Sequence, residues 1–472
     1  MTPGVLRVTA ADLELFAAAS GDRNPLHVSP EYARRTPFGE PVVFGALAAL
    51  AAFAHLPEQR ERRLESVRLE FRGPLAVGAS YGVELDGGQL RILDLGEPLL
   101  TADVTFGDRP ALALADAPPS GRAEPSTGDR DDARGAWAPS LPHLRELLAQ
   151  WRLPERGVDE AAAGALAWTS YLVGMELPGE RATFWKLDLR VGVPALEFEA
   201  EVTRRDERVG LLELDARLGE SAASIAAFVR EDAPHADPAR IAELLEDGPR
   251  LAGLVALVAG GSRGLGAALA QGLALSGARV VIVYRESRAE AARLRDAFET
   301  IEPVQGDAAD ARWCRDELRP LLAERGGLDL LVCNASPPIR PLALHPDALE
   351  RFGGFVAESV RLVAAPLAVF ADELEARGGT AVVVSSSALA TLPPEWPHYV
   401  TAKAAVEGLA GWVAATHPRV RVLVVRPPKL LTDQMSSLLG RVGATRVEPV
   451  AAQIVRLLGT PRARAGAEVV EL

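Results

Sequence analysis

The chain has 472 residues, a formal net charge of −13, 48% hydrophobic residues and only 5% aromatic residues. Because binding to nucleic acid depends on neutralising phosphates, the acidic balance argues against a nucleic-acid partner. The two cysteines exclude a disulfide framework and a cysteine-based zinc site, and we predict no metal site. The sequence starts without a basic and apolar leader and has no long apolar run free of charge. We therefore expect a cytoplasmic protein with no membrane-spanning segment.

Two stretches rich in proline, glycine and charge predict linkers at 113–138 and 233–250. They separate three segments, at 1–112, 139–232 and 251–472. The first two segments each contain an apolar helix followed by alternating strands, which predicts a duplicated α+β unit. The third segment alternates continuous β-branched strands with helical patterns. It is predicted to form a Rossmann-like, doubly wound parallel α/β sheet that is buried on both faces.

A polar turn follows the first helical pattern and reads Ser20-Gly21-Asp22-Arg23-Asn24-Pro25-Leu26-His27. The apolar helix that comes next begins near Gly45. This pattern resembles the MaoC-like (R)-specific enoyl-thioester hydratases and dehydratases. The resemblance implies a hotdog fold and the removal of water from a 3-hydroxyacyl thioester. The chain departs from the family pattern at Ser29 and Phe44, where the family usually has an acidic residue and a histidine.

Elimination of water from such a thioester needs a base for the α-proton and an acid for the leaving hydroxyl. Asp22 and His27 can divide this work, with Asn24 orienting one of them. The helix N-terminus near Gly45 is a suitable place for the thioester oxygen as negative charge develops on it. The alternative is a plain turn, in which Asp22 and Asn24 bond to the local backbone.

The second segment carries the sequence Ser170-Tyr-Leu-Val-Gly174-Met-Glu-Leu-Pro178-Gly179. It looks like the companion segment of a double hotdog. This half has no histidine at a comparable place, so a single catalytic set per chain is implied.

A glycine-rich loop joins the first strand of the third segment to a helix and reads Gly260-Gly261-Ser262-Arg263-Gly264-Leu265-Gly266. Glycines in this context let the backbone approach a pyrophosphate at a helix N-terminus. The second strand ends at Arg285 and not at an acidic residue. Arg285 and Arg263 are suited to a 2′-phosphate, so NADP(H) is the predicted cofactor. The alternative is that Arg285 simply lies on the surface. Asp307 is expected to accept from the adenine amino group, and Asn334 ends the fourth strand.

Lysine is scarce: it occurs three times among 51 basic residues, and Lys403 lies four residues after Tyr399. Ser386 precedes the tyrosine by thirteen positions, with Ser385 and Ser387 as alternative assignments. An ammonium favours a phenolate, so Lys403 is expected to lower the pKa of Tyr399 towards neutrality. The phenol can then give a proton to a ketone oxygen as hydride reaches the carbon. The alternative is a chance Tyr-x-x-x-Lys pattern on a helix face.

The third segment resembles the short-chain dehydrogenase/reductase family, most closely its 3-ketoacyl-thioester reductases. Besides the glycine loop, the residues that carry the resemblance are Asn334, Ala335, Ser386, Tyr399, Lys403, Pro427 and Thr432. The resemblance implies that Lys403 also holds the nicotinamide ribose and that Ser386 orients the ketone oxygen. The stretch 345–379 contains no asparagine, where family members generally place one for a proton relay.

These patterns predict a bifunctional enzyme that reduces a 3-oxoacyl thioester with NADPH and dehydrates the resulting alcohol, in biosynthesis of the fatty-acid or polyketide kind. One alternative keeps the reductase alone and makes the hotdog pair a thioester-binding or dimerisation platform. Another alternative treats both sites as degenerate and the chain as an assembly partner. The expected partners are an acyl thioester of acyl carrier protein or coenzyme A and a second copy of the chain in a homo-oligomer, as a dimer.

Overall fold

The computed structural model describes residues 4–59, 61–248, 250–435, 441–462 and 466–472. The chain divides into two compact units, and the boundary between them falls between Asp232 and Ala233. This division separates the two predicted α+β segments from the predicted parallel sheet.

The first unit is built on one antiparallel sheet of ten strands. The strands are β1 (Gly4–Arg7), β2 (Arg63–Phe71), β3 (Ser80–Asp86), β4 (Gln89–Asp94), β5 (Glu97–Gly107), β6 (Asp132–Ala136), β7 (Ala182–Arg190), β8 (Glu197–Asp206), β9 (Leu211–Leu218) and β10 (Ser221–Val229). Their order across the sheet is β1-β3-β4-β5-β2-β7-β10-β9-β8-β6. This order is symmetric about its centre. Each of the strands β1 to β5 has, at the mirror-image position, the strand whose number is five higher, so that β1 corresponds to β6 and β2 to β7. The duplicated unit and the double hotdog predicted from the sequence are thereby confirmed.

The two halves join through β2 and β7, which pair antiparallel with Ser66 opposite Arg190 and Glu70 opposite Lys186. The helices of this unit are α1 (Ala10–Ser20), α2 (Pro25–Val28), α3 (Pro30–Ala33), α4 (Gly45–Phe53), α5 (Leu141–Gln150) and α6 (Glu160–Tyr171). Helices α4 and α6 are the central helices of the two halves. Every residue from Ala46 to Phe53 is buried in α4, as is every residue from Ala161 to Tyr171 in α6. Both helices carry apolar residues on every face because they lie within the core.

The segment 113–138, predicted as a linker, is bound to the second half along much of its length. It contains β6, which forms the outer strand of the sheet beside β8. The Arg122 N–H donates to the Tyr171 hydroxyl at 2.7 Å, and the Ser126 N–H donates to the Met175 carbonyl at 2.8 Å. The segment at 233–250 likewise contains a helix, α7 (Pro238–Leu244), which belongs to the second unit and buries Ile241. Both predicted linkers therefore contain regular secondary structure, and the parts that only connect the segments are shorter than predicted.

The second unit is a parallel sheet of seven strands with helices on both faces, as predicted. The strands are β11 (Val255–Ala259), β12 (Arg279–Tyr284), β13 (Ile301–Gln305), β14 (Leu330–Cys333), β15 (Thr380–Val384), β16 (Arg421–Arg426) and β17 (Glu468–Glu471), in the order β13-β12-β11-β14-β15-β16-β17. The helices after α7 are α8 (Gly264–Leu275), α9 (Arg288–Ala297), α10 (Ala311–Trp313), α11 (Arg319–Glu324), α12 (Leu349–Arg377), α13 (Ala388–Thr391), α14 (Pro397–Thr416) and α15 (Val447–Leu458). The strand order reverses between β11 and β14, so the loops after these two strands frame a crevice of the kind that binds dinucleotides.

In the described part of the chain, one helical stretch, Pro346–Arg377, is long and apolar enough to cross a membrane by length and composition. The expectation from the sequence is that no segment spans a membrane. Its most apolar window has a mean hydropathy of 1.6 and is 39% buried within the protein. Helix α12, which makes up most of this stretch, packs against α14, β14 and β15. A core helix of a parallel α/β sheet meets the same test, because one of its faces covers the sheet.

Candidate active sites

Asp22 lies in the loop between α1 and α2, and it is 1% exposed. The chain leaves α1 through Gly21, which has a φ of 72° and so turns the backbone sharply into this loop. The Ser170 hydroxyl donates to Oδ2 of Asp22 at 2.7 Å, and the Asn24 N–H donates to Oδ1 at 3.0 Å. Burial raises the pKa of Asp22 to about 7 and outweighs these two hydrogen bonds, which lower it. The carboxyl group can therefore carry a proton near neutral pH.

His27 lies on α2, one short turn after Asp22. Its Nδ1 is 2.7 Å from the carbonyl oxygen of Val42. Because a carbonyl only accepts, Nδ1 carries the proton and Nε2 has a free lone pair. Burial lowers the pKa of His27 to about 4; the hydrogen bond to Val42 opposes this shift, and the charge of Arg230 adds to it. The ring stacks on Phe44 with the centroids 4.0 Å apart. Phe44, which departs from the family pattern, thus holds the imidazole in place.

Asn24 ties the loop of Asp22 to the second half of the first unit. Its Nδ2 donates to the carbonyl oxygens of Gly174 and Gly179, each at 3.1 Å. Its Oδ1 accepts from the Leu26 N–H at 3.0 Å and so caps α2. The side chain is committed to these contacts. The predicted orienting role belongs to the backbone N–H of Asn24, which holds the Asp22 carboxylate.

The two central helices differ at their N-termini. Helix α4 begins at Gly45, and its cap residue Phe44 makes no side-chain hydrogen bond to the first turn. Helix α6 is closed, because Oδ1 of Asp159 accepts from the Ala162 N–H at 3.0 Å and Oδ2 pairs with Arg109 at 2.7 Å. Only α4 of these two helices presents free N–H groups that can stabilise a developing oxyanion.

Sequence reasoning missed the part that the second half plays beside Asp22. The sequence places Ser170 in the companion segment but assigns it no role. After Tyr171 the helix continues as a π-helical turn over Leu172–Glu176. This turn places Gly174 so close to Asp22 that an added Cβ would lie 2.5 Å from Oδ1. The signal in the sequence for this contact is Gly174, four positions after Ser170, because only a residue without a side chain fits so close to Asp22.

The glycine loop of the second unit forms a tight cradle between β11 and α8. Gly260 has a φ of 76°, and a Cβ there would lie 2.7 Å from Cα of Ala335. A Cβ on Gly266 would lie 2.0 Å from the Gly260 carbonyl oxygen, which already accepts from Nδ2 of Asn334 at 2.9 Å. Helix α8 begins at Gly264 with no side-chain cap, so its first N–H groups are open to an anion. Ser262 and Leu265, the remaining predicted members of this loop, are buried. The cradle fits the pyrophosphate of a dinucleotide.

The loop after β16 lies against this cradle. The methyl group of Thr432 is 3.2 Å from the position of a Cβ on Gly264. Arg263 pairs with Asp433 at 2.9 Å, next to Thr432. The Pro427 carbonyl accepts from the Ser387 N–H at 3.0 Å. The structure therefore brings Pro427 and Thr432 to the same edge of the sheet as the glycine loop.

The structure does not bring Arg263 and Arg285 together as a single cationic pair. Each of them bonds to a carboxylate, Arg263 to Asp433 and Arg285 to Glu358, the latter at 3.3 Å. Asp307 accepts from the Ala309 N–H at 2.9 Å. It also lines a cavity of about 510 Å³, together with Glu358 and other charged residues. A phosphate at Arg285 has to compete with the Glu358 carboxylate.

Ser386, Tyr399 and Lys403 converge at the carboxyl end of β15 and the start of α14. The Ser386 hydroxyl is close enough to the Tyr399 hydroxyl to lower the pKa of the phenol. Nζ of Lys403 lies 5.5 Å from the centroid of the Tyr399 ring and donates to the Val384 carbonyl at 2.8 Å. Ser385 points elsewhere, since its hydroxyl donates to Glu407 at 2.5 Å. The geometry thus favours Ser386 over the alternative Ser385.

The electrostatics of this set differ from the expectation. Burial raises the pKa of Tyr399, and the shift is opposed by the hydrogen bond to Ser386; no lowering by Lys403 is found. Burial lowers the pKa of Lys403 itself to about 8, against the nearby Glu407 carboxylate, which raises it. Burial therefore disfavours the charged form of each group, the Tyr399 phenolate and the Lys403 ammonium, although the lysine still keeps its proton at neutral pH.

Helix α12 supplies the wall beside Tyr399. The ring of Phe355 lies edge-on to the Tyr399 ring with the centroids 6.5 Å apart, and the Trp396 ring lies edge-on at 6.2 Å. This helix contains no asparagine, and the hydroxyl of its buried Ser359 has no hydrogen-bond partner among the described residues. The phenol therefore lies in an aromatic surround that the sequence motifs did not indicate.

Comparison with known proteins identifies a relative for each unit. The short chain dehydrogenase family model matches residues 254–440, and the MaoC like domain model matches residues 3–91. An uncharacterized oxidoreductase of Methylorubrum extorquens is 31% identical over 191 residues, which is 39% of this chain and 76% of the relative. The 3-hydroxybutyryl-CoA dehydratase of the same organism is 30% identical over 125 residues, which is 25% of this chain and 78% of the relative.

Among solved structures, the alcohol dehydrogenase from the archaeon Thermococcus sibiricus, complexed with 5-hydroxy-NADP, is 26% identical to this chain. The match covers 46% of this chain and 95% of that one, with a TM-score of 0.42. The family matches fall one in each unit, on the residues that form the two sites. The chain therefore belongs to the short-chain dehydrogenase family through its second unit and to the MaoC-like family through its first.

Proposed function

We propose that this chain is a bifunctional enzyme that reduces a 3-oxoacyl thioester with NADPH and then dehydrates the 3-hydroxyacyl product to an enoyl thioester. The observation that carries the proposal is the presence of an acid–base set in each unit. Asp22 and His27 form one set, and Ser386, Tyr399 and Lys403 form the other. The product of the second unit is the substrate of the first, which is a chemical reason to join them in one chain.

Reduction uses the residues of the second unit as follows. A nicotinamide bound in this unit would supply a hydride to the ketone carbon. Tyr399 donates its proton to the ketone oxygen, and Ser386 orients that oxygen through its hydroxyl group. Lys403 holds the ribose and, when protonated, stabilises the phenolate that remains. The glycine loop, Asn334, Ala335 and the Pro427–Thr432 loop would hold the dinucleotide.

Dehydration uses the first unit. His27 removes the α-proton with its free Nε2, and the N–H groups at the start of α4 stabilise the enolate oxygen. Protonated Asp22 then gives its proton to the leaving hydroxyl, so that water departs and the double bond forms. The two environments support this division, since burial keeps His27 neutral and Asp22 protonatable.

NADPH is proposed over NADH because the second strand is followed by Arg285, with no acidic residue at that position to hold a 2′-hydroxyl. The pair formed by Arg285 and Glu358 is exposed and weak, so a phosphate can displace the carboxylate. The thioester class is supported by the similarity of the first unit to a 3-hydroxybutyryl-CoA dehydratase. The carrier is coenzyme A or an acyl carrier protein.

We also propose that the chain associates with a second copy through α12 and α14. Trp412 on α14 is 60% exposed. Gly353 and Gly354 on α12, with Gly408 and Gly411 on α14, have open space where a side chain would lie. These features form an apolar and smooth helical face, which suits close packing against the same face of another chain.

The test is incubation of the enzyme with NADPH and a 3-oxoacyl thioester, followed by mass analysis of the products. Enoyl product supports both activities. Hydroxyacyl product alone supports a reductase with a non-catalytic hotdog pair, and an absence of NADPH oxidation supports an assembly partner.

Two variants separate the sites within this experiment. Tyr399→Phe should abolish NADPH oxidation and retain cofactor binding, measured by fluorescence titration. Asp22→Asn should abolish enoyl formation and leave NADPH oxidation unchanged, so hydroxyacyl product accumulates. Turnover at the wild-type rate in either variant contradicts the role of that residue.

A further inference from the structure

Arg230 follows β10, the last strand of the first unit, and it is 6% exposed. Its Nη2 donates to the Glu180 carbonyl at 3.0 Å and lies 3.4 Å from the Tyr32 hydroxyl. Nε is buried and has no partner. Nη1 makes no hydrogen bond within the described chain and, unlike Nε, is not fully enclosed. No carboxylate among the described residues pairs with this guanidinium.

Arg230 lies beside the acid–base pair of the first unit. The Glu180 carbonyl that it contacts also accepts from the Tyr32 hydroxyl at 3.2 Å and from Nδ2 of Asn24 at 3.3 Å. Asn24 in turn holds the Asp22 carboxylate through its backbone N–H. The charge of Arg230 is also close enough to His27 to lower its pKa. One carbonyl therefore connects the guanidinium to the loop that carries the acid.

A buried guanidinium without an anionic partner is unfavourable, because the carbonyl and hydroxyl that contact it are neutral. The face of the Tyr32 ring, 5.6 Å from the guanidinium carbon, compensates in part. An anion bound in the site would compensate the remaining cost of burying this charge. The anions that best match a guanidinium are a carboxylate and a phosphate. The phosphates of a thioester carrier lie at the far end of the pantetheine chain from the reacting carbons. An anion beside the acid–base pair therefore belongs to the acyl group.

We propose that Arg230 binds a carboxylate on the acyl group, so that the first unit prefers 3-hydroxyacyl thioesters that carry a second acidic group. This inference rests on the dehydratase function proposed above and gives that site a substrate class. A substrate that ends in a methyl group leaves the guanidinium unpaired, which is the physical basis of the preference.

The test compares enoyl formation from chain-matched 3-hydroxyacyl-CoA thioesters that end in a carboxylate or in a methyl group, over several chain lengths. For the best-matched length, kcat/KM for the acid should exceed that for the neutral substrate by at least about tenfold. In Arg230→Met this ratio should fall to about one. Arg217→Met, which removes an exposed arginine on β9, is the matched control and should keep the wild-type ratio. A wild-type enzyme with no preference for the acid, or an Arg230→Met variant with an unchanged ratio, overturns the proposal.

A binding measurement keeps the inference separate from the proposed function. Calorimetry on the Asp22→Asn variant, with and without Arg230→Met, compares the affinities for the two enoyl-CoA products. The acid should bind at least about tenfold more tightly only where Arg230 is present. If the enzyme dehydrates neither substrate, the proposed function fails, and this difference in affinity still decides the inference. If Arg230→Met does not fold by circular dichroism, Arg230→Lys replaces it, and its preference should lie between wild type and none; a full wild-type preference overturns the role of the guanidinium.

Discussion

At the scale of single residues, burial has opposite consequences for the two groups of the first site. Removal from water disfavours the charged form of each, so it raises the pKa of Asp22 to about 7 and lowers that of His27 to about 4. At neutral pH the carboxyl group can donate a proton while the imidazole can accept one. Enclosure is the largest cause of both shifts, and the charge of Arg230 adds to the shift of His27.

The rate of dehydration should depend on pH with two limbs. It should fall as the pH rises through about 7, where Asp22 loses its proton, and as the pH falls through about 4, where His27 gains one. The hydrogen bond from Ser170 lowers the pKa of Asp22, so Ser170→Ala should move the alkaline limb to higher pH. The measurement is kcat/KM for enoyl formation against pH. Ser224→Ala, an exposed serine on β10, is the control; a limb that stays in place or moves to lower pH in Ser170→Ala contradicts this account.

The sequence identified Asp22 and His27 by motif, but it did not identify the groups that tune them. Ser170 is 148 positions from Asp22 along the chain, and only the fold brings them together. For the same reason, the prediction that Lys403 lowers the pKa of Tyr399 is wrong. The motif places an ammonium near the phenol, whereas the balance between charge and burial depends on how deeply both groups lie in the second unit.

At the scale of helices and strands, the capped start of α6 contrasts with the open start of α4. The Asp159 carboxylate caps α6 at the Ala162 N–H, and it also accepts from the Leu112 N–H and pairs with Arg109. In the second half, the helix N-terminus that could bind an oxyanion is instead occupied by the Asp159 carboxylate. This difference supports the proposed single catalytic set more directly than the absence of a histidine does.

Asp159→Ala should lower the free energy of unfolding of the first unit by about 3 kcal/mol, because it removes a helix cap and leaves Arg109 partly unpaired. Asp188→Ala is the matched control, since the pair that it breaks with Arg68 is exposed and should contribute no more than about 1 kcal/mol. Urea unfolding followed by circular dichroism measures both. Equal losses in the two variants would refute the role given to Asp159.

Periodicity predicted the central helices and most strands, because their apolar residues alternate or repeat clearly. It failed for β6, where four of the five residues are exposed and only Ala133 is buried. An outer strand of this kind has no apolar pattern and is held by backbone pairing with β8. Helix α7 lies in a stretch that the sequence assigns to a linker, because its packing on α8 and α15 depends on residues distant in sequence.

At the scale of the whole molecule, the exposed face of α12 and α14 should control association between copies. Trp412→Glu should weaken self-association at least about tenfold, because it places a charge at the centre of an apolar contact. Sedimentation velocity over a range of concentrations measures this. Val193→Glu, which changes an exposed valine of the first unit, should leave the association unchanged. A wild-type chain that sediments as a monomer at micromolar concentration contradicts the proposed contact.

The pairing of β2 with β7 has a consequence for how the first unit can change. In a symmetric dimer of single hotdog subunits, every substitution is made twice, once in each subunit, and each must suit both positions. Here both halves belong to one chain and pair with each other through these strands, so a substitution occurs once and affects one half only. Asp159 can close one helix without closing the other, and Arg230 can face one pocket without a copy elsewhere. Because the halves are fused, the second half can change independently and supply residues such as Ser170 to the site in the first half.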